Sequence, residues 1–169
     1  MNKAFTIIEL LISIAIVATI TALSVATFTN YNEEKQLQAA GKQLAVKIEE
    51  MRLRAFSGQK VNGAVPAAFS AAADSDFAGY SLFGDFNANC LMDGADALIE
   101  KIALPSKVAF KNADKQKVCF KTNEPLNFVC ADENECASKE IIFYLETKSG
   151  KTELRVVVGP QNGMVSVVE

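Results

Sequence analysis

Hydrophobic positions follow three different rhythms along the chain. From Phe5 to Phe28 they are nearly continuous: Ile, Leu, Val and Ala dominate, neither Pro nor Gly intervenes, and Glu9 is the one charge within the run. As a helix rising 1.5 Å per residue, this segment covers about 36 Å, enough for a bilayer core of roughly 30 Å. After Thr29-Asn30-Tyr31-Asn32 the rhythm becomes helical and one-sided. Leu37, Ala40, Leu44, Ile48, Met51 and Ala55 recur three or four apart, with Lys42, Lys47, Glu49, Arg52 and Arg54 mostly off the stripe. Ser57-Gly58 supplies a stop. The pattern predicts one helix of about fifty residues whose second half lays its stripe on a C-terminal domain; a break at Thr29–Asn32 is the alternative.

The third rhythm is that of strands. Gln59–Ala78 is rich in Ala, Gly, Ser and Asp and reads as a connecting loop with a short helix at Ala67–Ala73. Beyond Gly79, strand-like runs appear at Tyr80–Phe83, Ala97–Leu104, Val108–Lys111, Gln116–Lys121, Phe128–Cys130, Ile141–Thr147, Glu153–Val158 and Met164–Val168. Gly159-Pro160-Gln161-Asn162-Gly163 is a hairpin connection between the last two. The expected fold is α+β: a long N-terminal helix, membrane half plus amphipathic half, packed on a C-terminal antiparallel β-sheet domain.

Composition narrows the function. The chain has 169 residues, 50% of them hydrophobic, a formal net charge of -3 and no histidine. The missing histidine removes His-based triads, His-ligated zinc or haem and imidazole pH switches. A sequence pI near 5.1 argues against nucleic acid as a partner. No phosphate loop, nucleophile elbow or Ser–base pair is present, so no enzyme is expected. The acidic pairs Glu33/Glu34 and Glu49/Glu50 read as solvated helix-face charges.

Glu9 is the anomaly, because a carboxylate within a membrane span costs roughly 2.5–3.5 kcal/mol and needs a partner or a purpose. It can snorkel to the headgroups. Alternatively, cleavage between Ala4 and Phe5 creates an α-ammonium one helical turn away, able to pair within a chain or between chains. The string Lys3-Ala4-Phe5-Thr6-Ile7-Ile8-Glu9-Leu10-Leu11-Ile12 resembles the leader and cleavage signature of type IV pilins and pseudopilins. The resemblance implies a leader at 1–4, removal by a prepilin peptidase, N-methylation of Phe5 and a role for Glu9 in filament assembly. Ala4 stands where the family usually has Gly, and the helix-kinking Pro common in the family is absent. The implied organisation is a transmembrane and filament-core helix at 5–28, its amphipathic continuation at 29–57, a loop at 58–78 and the β-sheet domain at 79–169. The resemblance also implies a single-pass protein of the cytoplasmic (inner) membrane, N-terminus inside, that later joins an extracellular or periplasmic filament. Its partners are then itself, other pilins or pseudopilins and a membrane assembly platform. The pattern from Glu153 to Val168 is similar to minor pseudopilins of the H type.

Two further constellations carry candidate chemistry. In Asp85–Asp96, oxygen-bearing side chains fall at Asp85, Asn87, Asn89, Asp93 and Asp96, with the Leu91 carbonyl available at position 7. That is the ligand spacing of a twelve-residue calcium loop, although Cys90 replaces the turn Gly and Asp96 the bidentate Glu. Ca²⁺ is therefore the candidate cofactor, beside the alternative of an Asn/Asp-rich surface turn. The four cysteines, Cys90, Cys119, Cys130 and Cys136, suit disulfides in an exported domain. A turn at Glu124-Pro125 sets Cys119 opposite Cys130, favouring Cys119–Cys130 with Cys90–Cys136; the alternative is Cys130–Cys136 with Cys90–Cys119.

The function expected from these observations is a structural subunit of a type IV pilus or type II secretion pseudopilus. The alternatives are a minor tip pilin that binds DNA or a surface, and a membrane-anchored, exported calcium-binding domain that does not polymerise.

Overall fold

A computed structural model describes residues 6–111, 116–123, 129–130, 140–159 and 163–168; the side chains of 23–30 and 129–130 are outside the description. Helix α1 spans Ile7–Ser57. Thr6 starts it with a complete capping box, and Gly58 ends it in the left-handed conformation (φ 60°), where its amide reaches the carbonyls of Arg54 and Ala55. Side chains are described on two stretches of this helix, 7–22 and 31–57.

The second stretch organises the domain. All six residues of the apolar stripe, Leu37, Ala40, Leu44, Ile48, Met51 and Ala55, are buried. They share one core with Phe69, Phe143, Leu154 and Val156, among others. Gly41 lies on the same side, where an added Cβ would collide with the Leu154 side chain, so its lack of a side chain lets the helix settle on the strands.

Nine strands follow among the described residues: β1 (Ala68–Ala73), β2 (Gly79–Asp85), β3 (Ala97–Ala103), β4 (Val108–Phe110), β5 (Lys117–Lys121), β6 (Val129–Cys130), β7 (Ile141–Thr147), β8 (Glu153–Val158) and β9 (Val165–Val168). They form two antiparallel sheets, ordered β3-β2-β1-β5-β6 and β4-β7-β8-β9. Gln116 joins the sheets: its carbonyl accepts from the Ala73 amide (2.9 Å) and its side-chain oxygen from the Tyr144 amide (2.8 Å). Phe110 reaches across in the same way, 6.4 Å between ring centroids from both Tyr80 and Phe143.

The expected fold class is corrected in two respects. No helix among the described residues is long and apolar enough to cross a membrane. A membrane half is therefore not shown. The strands also make two sheets where one was expected, because β4 pairs with β7 and not with β3 or β5.

Residues 67–73 are a second correction. The expected short helix is strand β1, paired on one side with β2 and on the other with β5. Alanine favours a helix, but seven residues are too few to repay nucleation, and two flanking ladders satisfy every backbone group of a central strand. The acidic pairs are also less solvated than expected. Glu33, with only 16% of its side chain exposed, faces Lys107 at 3.6 Å and accepts from the Ser149 hydroxyl at 3.0 Å. Glu50 bonds Arg54 at 2.7 Å and Lys47 at 3.1 Å, and Lys47 also bonds Glu100 of β3 at 2.7 Å. The Arg54 hydrogen bonds, then that from Lys47, hold the Glu50 carboxyl below the usual range.

Leu44→Ala should lower stability by about 2–5 kcal/mol, because it opens a cavity where helix and sheets meet. Lys42→Ala, on the exposed side of the same turn, should stay within about 0.5 kcal/mol. Urea midpoints at equal slope measure both.

Candidate functional site

Two places hold the residues singled out by the sequence. The first is the start of α1. Met1–Phe5, including the Ala4–Phe5 junction, lie outside the described residues. Glu9 is described, and it is engaged within its own chain. Its Oε2 accepts from the Thr6 amide at 3.0 Å and the Thr6 hydroxyl at 2.9 Å, while the Glu9 amide donates to Thr6 Oγ1 at 3.3 Å. This is a reciprocal capping box, which satisfies helix-end donors and sets a negative charge at the positive end of the helix dipole. Thr6 was readable in the sequence as Thr-x-x-Glu ahead of an apolar run, although the expectations above do not include it.

From Leu10 to Ala22 the described side chains of the helix are almost all apolar and all exposed. Nine large aliphatic residues between Ile7 and Ile20 are each more than half exposed, Ile7 the most at 81%. The few hydroxyls are turned inward: Ser13 donates to the Glu9 carbonyl, Thr19 to those of Ala15 and Ile16, and Thr21 to that of Val17, all at 2.7–2.9 Å. The outer surface is therefore almost entirely hydrocarbon, with its polar atoms spent on its own backbone.

The second place is the loop between β2 and β3. Asp85, at the end of β2, is fully buried. Its Oδ1 accepts from the amides of Asn87 (3.1 Å) and Ala88 (2.6 Å), and its Oδ2 from that of Cys90 (2.7 Å). Burial pushes its carboxyl above the usual range; Asp96 adds to this, and the three amide donors oppose it. Asp93 Oδ2 accepts from both Asn87 and Asn89 side-chain amides at 2.9 Å, and Asp93 Oδ1 from the Ala95 amide at 2.8 Å. Asp96 accepts from the amides of Phe86 (3.1 Å) and Asp93 (2.9 Å). Asn89 Oδ1 takes the amide of Leu91 at 2.7 Å. Ala88 and Cys90 both have positive φ, 58° and 60°, so Cys90 adopts the left-handed turn that calcium loops assign to Gly.

The structure brings the candidate cation ligands into one loop but turns their oxygens onto loop amides. Among the described residues, no group of three His, Cys, Asp or Glu side chains could hold a metal ion. As they stand, these oxygens accept hydrogen bonds from the loop's own amides.

The disulfide expectation is corrected. Cys90 is bonded to Cys119, with Cα atoms 5.7 Å apart, in place of the favoured Cys119–Cys130 and Cys90–Cys136. The expected register is nevertheless found, with Cys119 opposite Cys130 on β5 and β6. The left-handed turn at Cys90 drops that residue onto the face of the sheet formed by Ala68 and Cys119, where both sulfurs are buried. Cys136 lies outside the described residues.

Asp85→Ala should destabilise by about 2–4 kcal/mol, since three amides lose their acceptor. The hydrogen-bonded loop requires the same loss in chelator as in calcium; a loss of melting temperature seen only with calcium would assign these oxygens to the cation. Compared with known proteins, the chain matches no family model, no curated protein and no solved structure.

Proposed function

We propose that the chain is a structural subunit of a helical filament of the type IV pilin or pseudopilin kind, acting by packing and not by catalysis. One observation carries this reading: a helix anchored in a folded domain through Leu37–Ala55 presents, at Ile7–Ile20, an uncovered hydrocarbon surface with a single carboxylate at its end. Monomeric soluble proteins rarely leave so large an apolar patch exposed. Packing like segments side by side removes that surface from water, at about 25 cal/mol per Å² buried.

A head-to-tail contact between identical subunits does not close on itself and generates a filament. Glu9 then fixes register, because a carboxylate carried to the wrong level of an apolar bundle stays unpaired. The capping box refines its role: Thr6 holds the carboxylate at the helix end, ready for the α-ammonium that removal of residues 1–4 would create at Phe5. Before assembly the segment needs another apolar host. The proposed host is the cytoplasmic membrane, with the N-terminus inside and the β-domain exported, as its buried disulfide suits.

Intact mass of the native protein tests the processing. The expected result is loss of Met1–Ala4 with one added methyl group, and an unprocessed N-terminus would count against the proposal. Glu9→Ala should fold normally yet stop filament formation, scored by sedimentation and electron microscopy. Filaments of normal yield from that variant would refute the role given to Glu9.

A further inference from the structure

Each sheet ends in two edge strands, and three of these four are guarded. Strand β3 carries Glu100 and Lys101, β4 is three residues long between Lys107 and Lys111, and β6 has two residues. Charge and shortness are the usual protections of an edge against pairing with another chain. Strand β9, Val-Ser-Val-Val, contains no charge and no proline. All four of its residues pair with β8, and among the described residues no ladder occupies its outer side. An antiparallel strand turns only part of its N–H and C=O groups toward one neighbour, so β9 offers the remainder outward.

The hydrocarbon beside that edge is uncovered as well. The sheet stops at β9, but the apolar surface of α1 continues past it: Val46 and Leu53 are 67% and 55% exposed. With Ala45, Glu49, Glu50 and Val165 they line an open groove of about 480 Å³ between helix and edge. Val165 and Val167 pack against the core. A strand laid along β9 would therefore send every second side chain to the same side, into the groove and over Val46 and Leu53. Unpaired backbone groups beside an apolar groove are the combination by which sheets take up extended peptides.

Charge narrows the occupant further. The charged residues in the groove lining are both acidic, Glu49 and Glu50, while their ion-pair partners Lys47, Arg52 and Arg54 lie outside it. An acidic segment is disfavoured there, and a lysine or arginine at one end of the segment is favoured. We propose that β9 and this groove bind an extended segment of another protein, apolar at alternate positions and basic at one end, as an added strand of the sheet. The site does not use Ile7–Ile20 or Glu9, so it stands or falls separately from filament formation.

Full-length protein in detergent micelles, titrated with the synthetic peptide Lys-Lys-Thr-Val-Thr-Val-Thr-Val, tests this by amide hydrogen exchange. The peptide should slow exchange within Val165–Val168. Leu53→Glu and Val46→Glu, both at exposed positions, should keep the melting temperature and weaken peptide binding about tenfold each. The same peptide with methylated backbone amides, or with Glu-Glu in place of Lys-Lys, should bind more weakly still. Unchanged exchange at β9 up to the solubility limit of the peptide would overturn the proposal, as would equal binding by the methylated peptide or by Leu53→Glu. Slowing that rises with protein concentration alone, without peptide, would assign the edge to a second copy and overturn it too.

Discussion

Burial of one stripe of α1, Leu37 to Ala55, is the contact on which both sheets depend. Among the described residues, no ladder joins β3-β2-β1-β5-β6 to β4-β7-β8-β9. They meet through a helix whose stripe shares a core with Phe69 and Ala71 of one sheet and with Leu154 and Val156 of the other. Gln116 and Phe110 stitch the seam, but neither replaces the apolar area that the helix covers. Gly41 shows how close the approach is: the space a side chain would need is already filled by Leu154. Close packing of this kind makes the stripe intolerant of lost volume, since neighbours relax only in part.

The first stretch of α1 differs from the second in what its side chains meet. The domain's core is filled by the stripe, and the side chains of Ile7–Ile20 lie outside it and uncovered. The side-chain hydroxyls there bond carbonyls of their own helix, so they are not left unpaired on its apolar surface. Glu9 is the exception, and Thr6 addresses it only in part: a capping box satisfies hydrogen bonds but leaves the net charge.

Much of this was legible in the sequence, for reasons that differ by element. The stripe of α1 could be read because a helix exposing a polar face imposes a period on its apolar residues. Strands β7 and β8 could be read because β-branched residues crowd them. Strand β1 could not: Ala-Phe-Ser-Ala-Ala-Ala hides its alternation, since both faces carry small residues, and its strand state comes from the partners on either side. The partition into two sheets is likewise a tertiary outcome that no local pattern records. Gln116 has no sequence signal at all. A buried side-chain amide linking two sheets looks, from its neighbours, like any polar residue at a strand end. The disulfide was half legible, because register is local to a hairpin while the choice among cysteines depends on where the β2–β3 loop folds.

That loop shows what residue spacing can and cannot establish. Oxygen-bearing side chains at alternate positions are what a cation requires, and they are equally what a tightly coiled backbone requires. Left-handed turns at Ala88 and Cys90 point successive amides toward the inside of the loop, and those amides need acceptors as much as a cation does. Asp85 answers three of them from a buried position, at the expense of a carboxyl pushed upward by desolvation. A divalent ion would have to compete with these donors for the same lone pairs. The spacing therefore specifies the shape of the loop, and the competition between amide and cation for Asp85 decides its occupant.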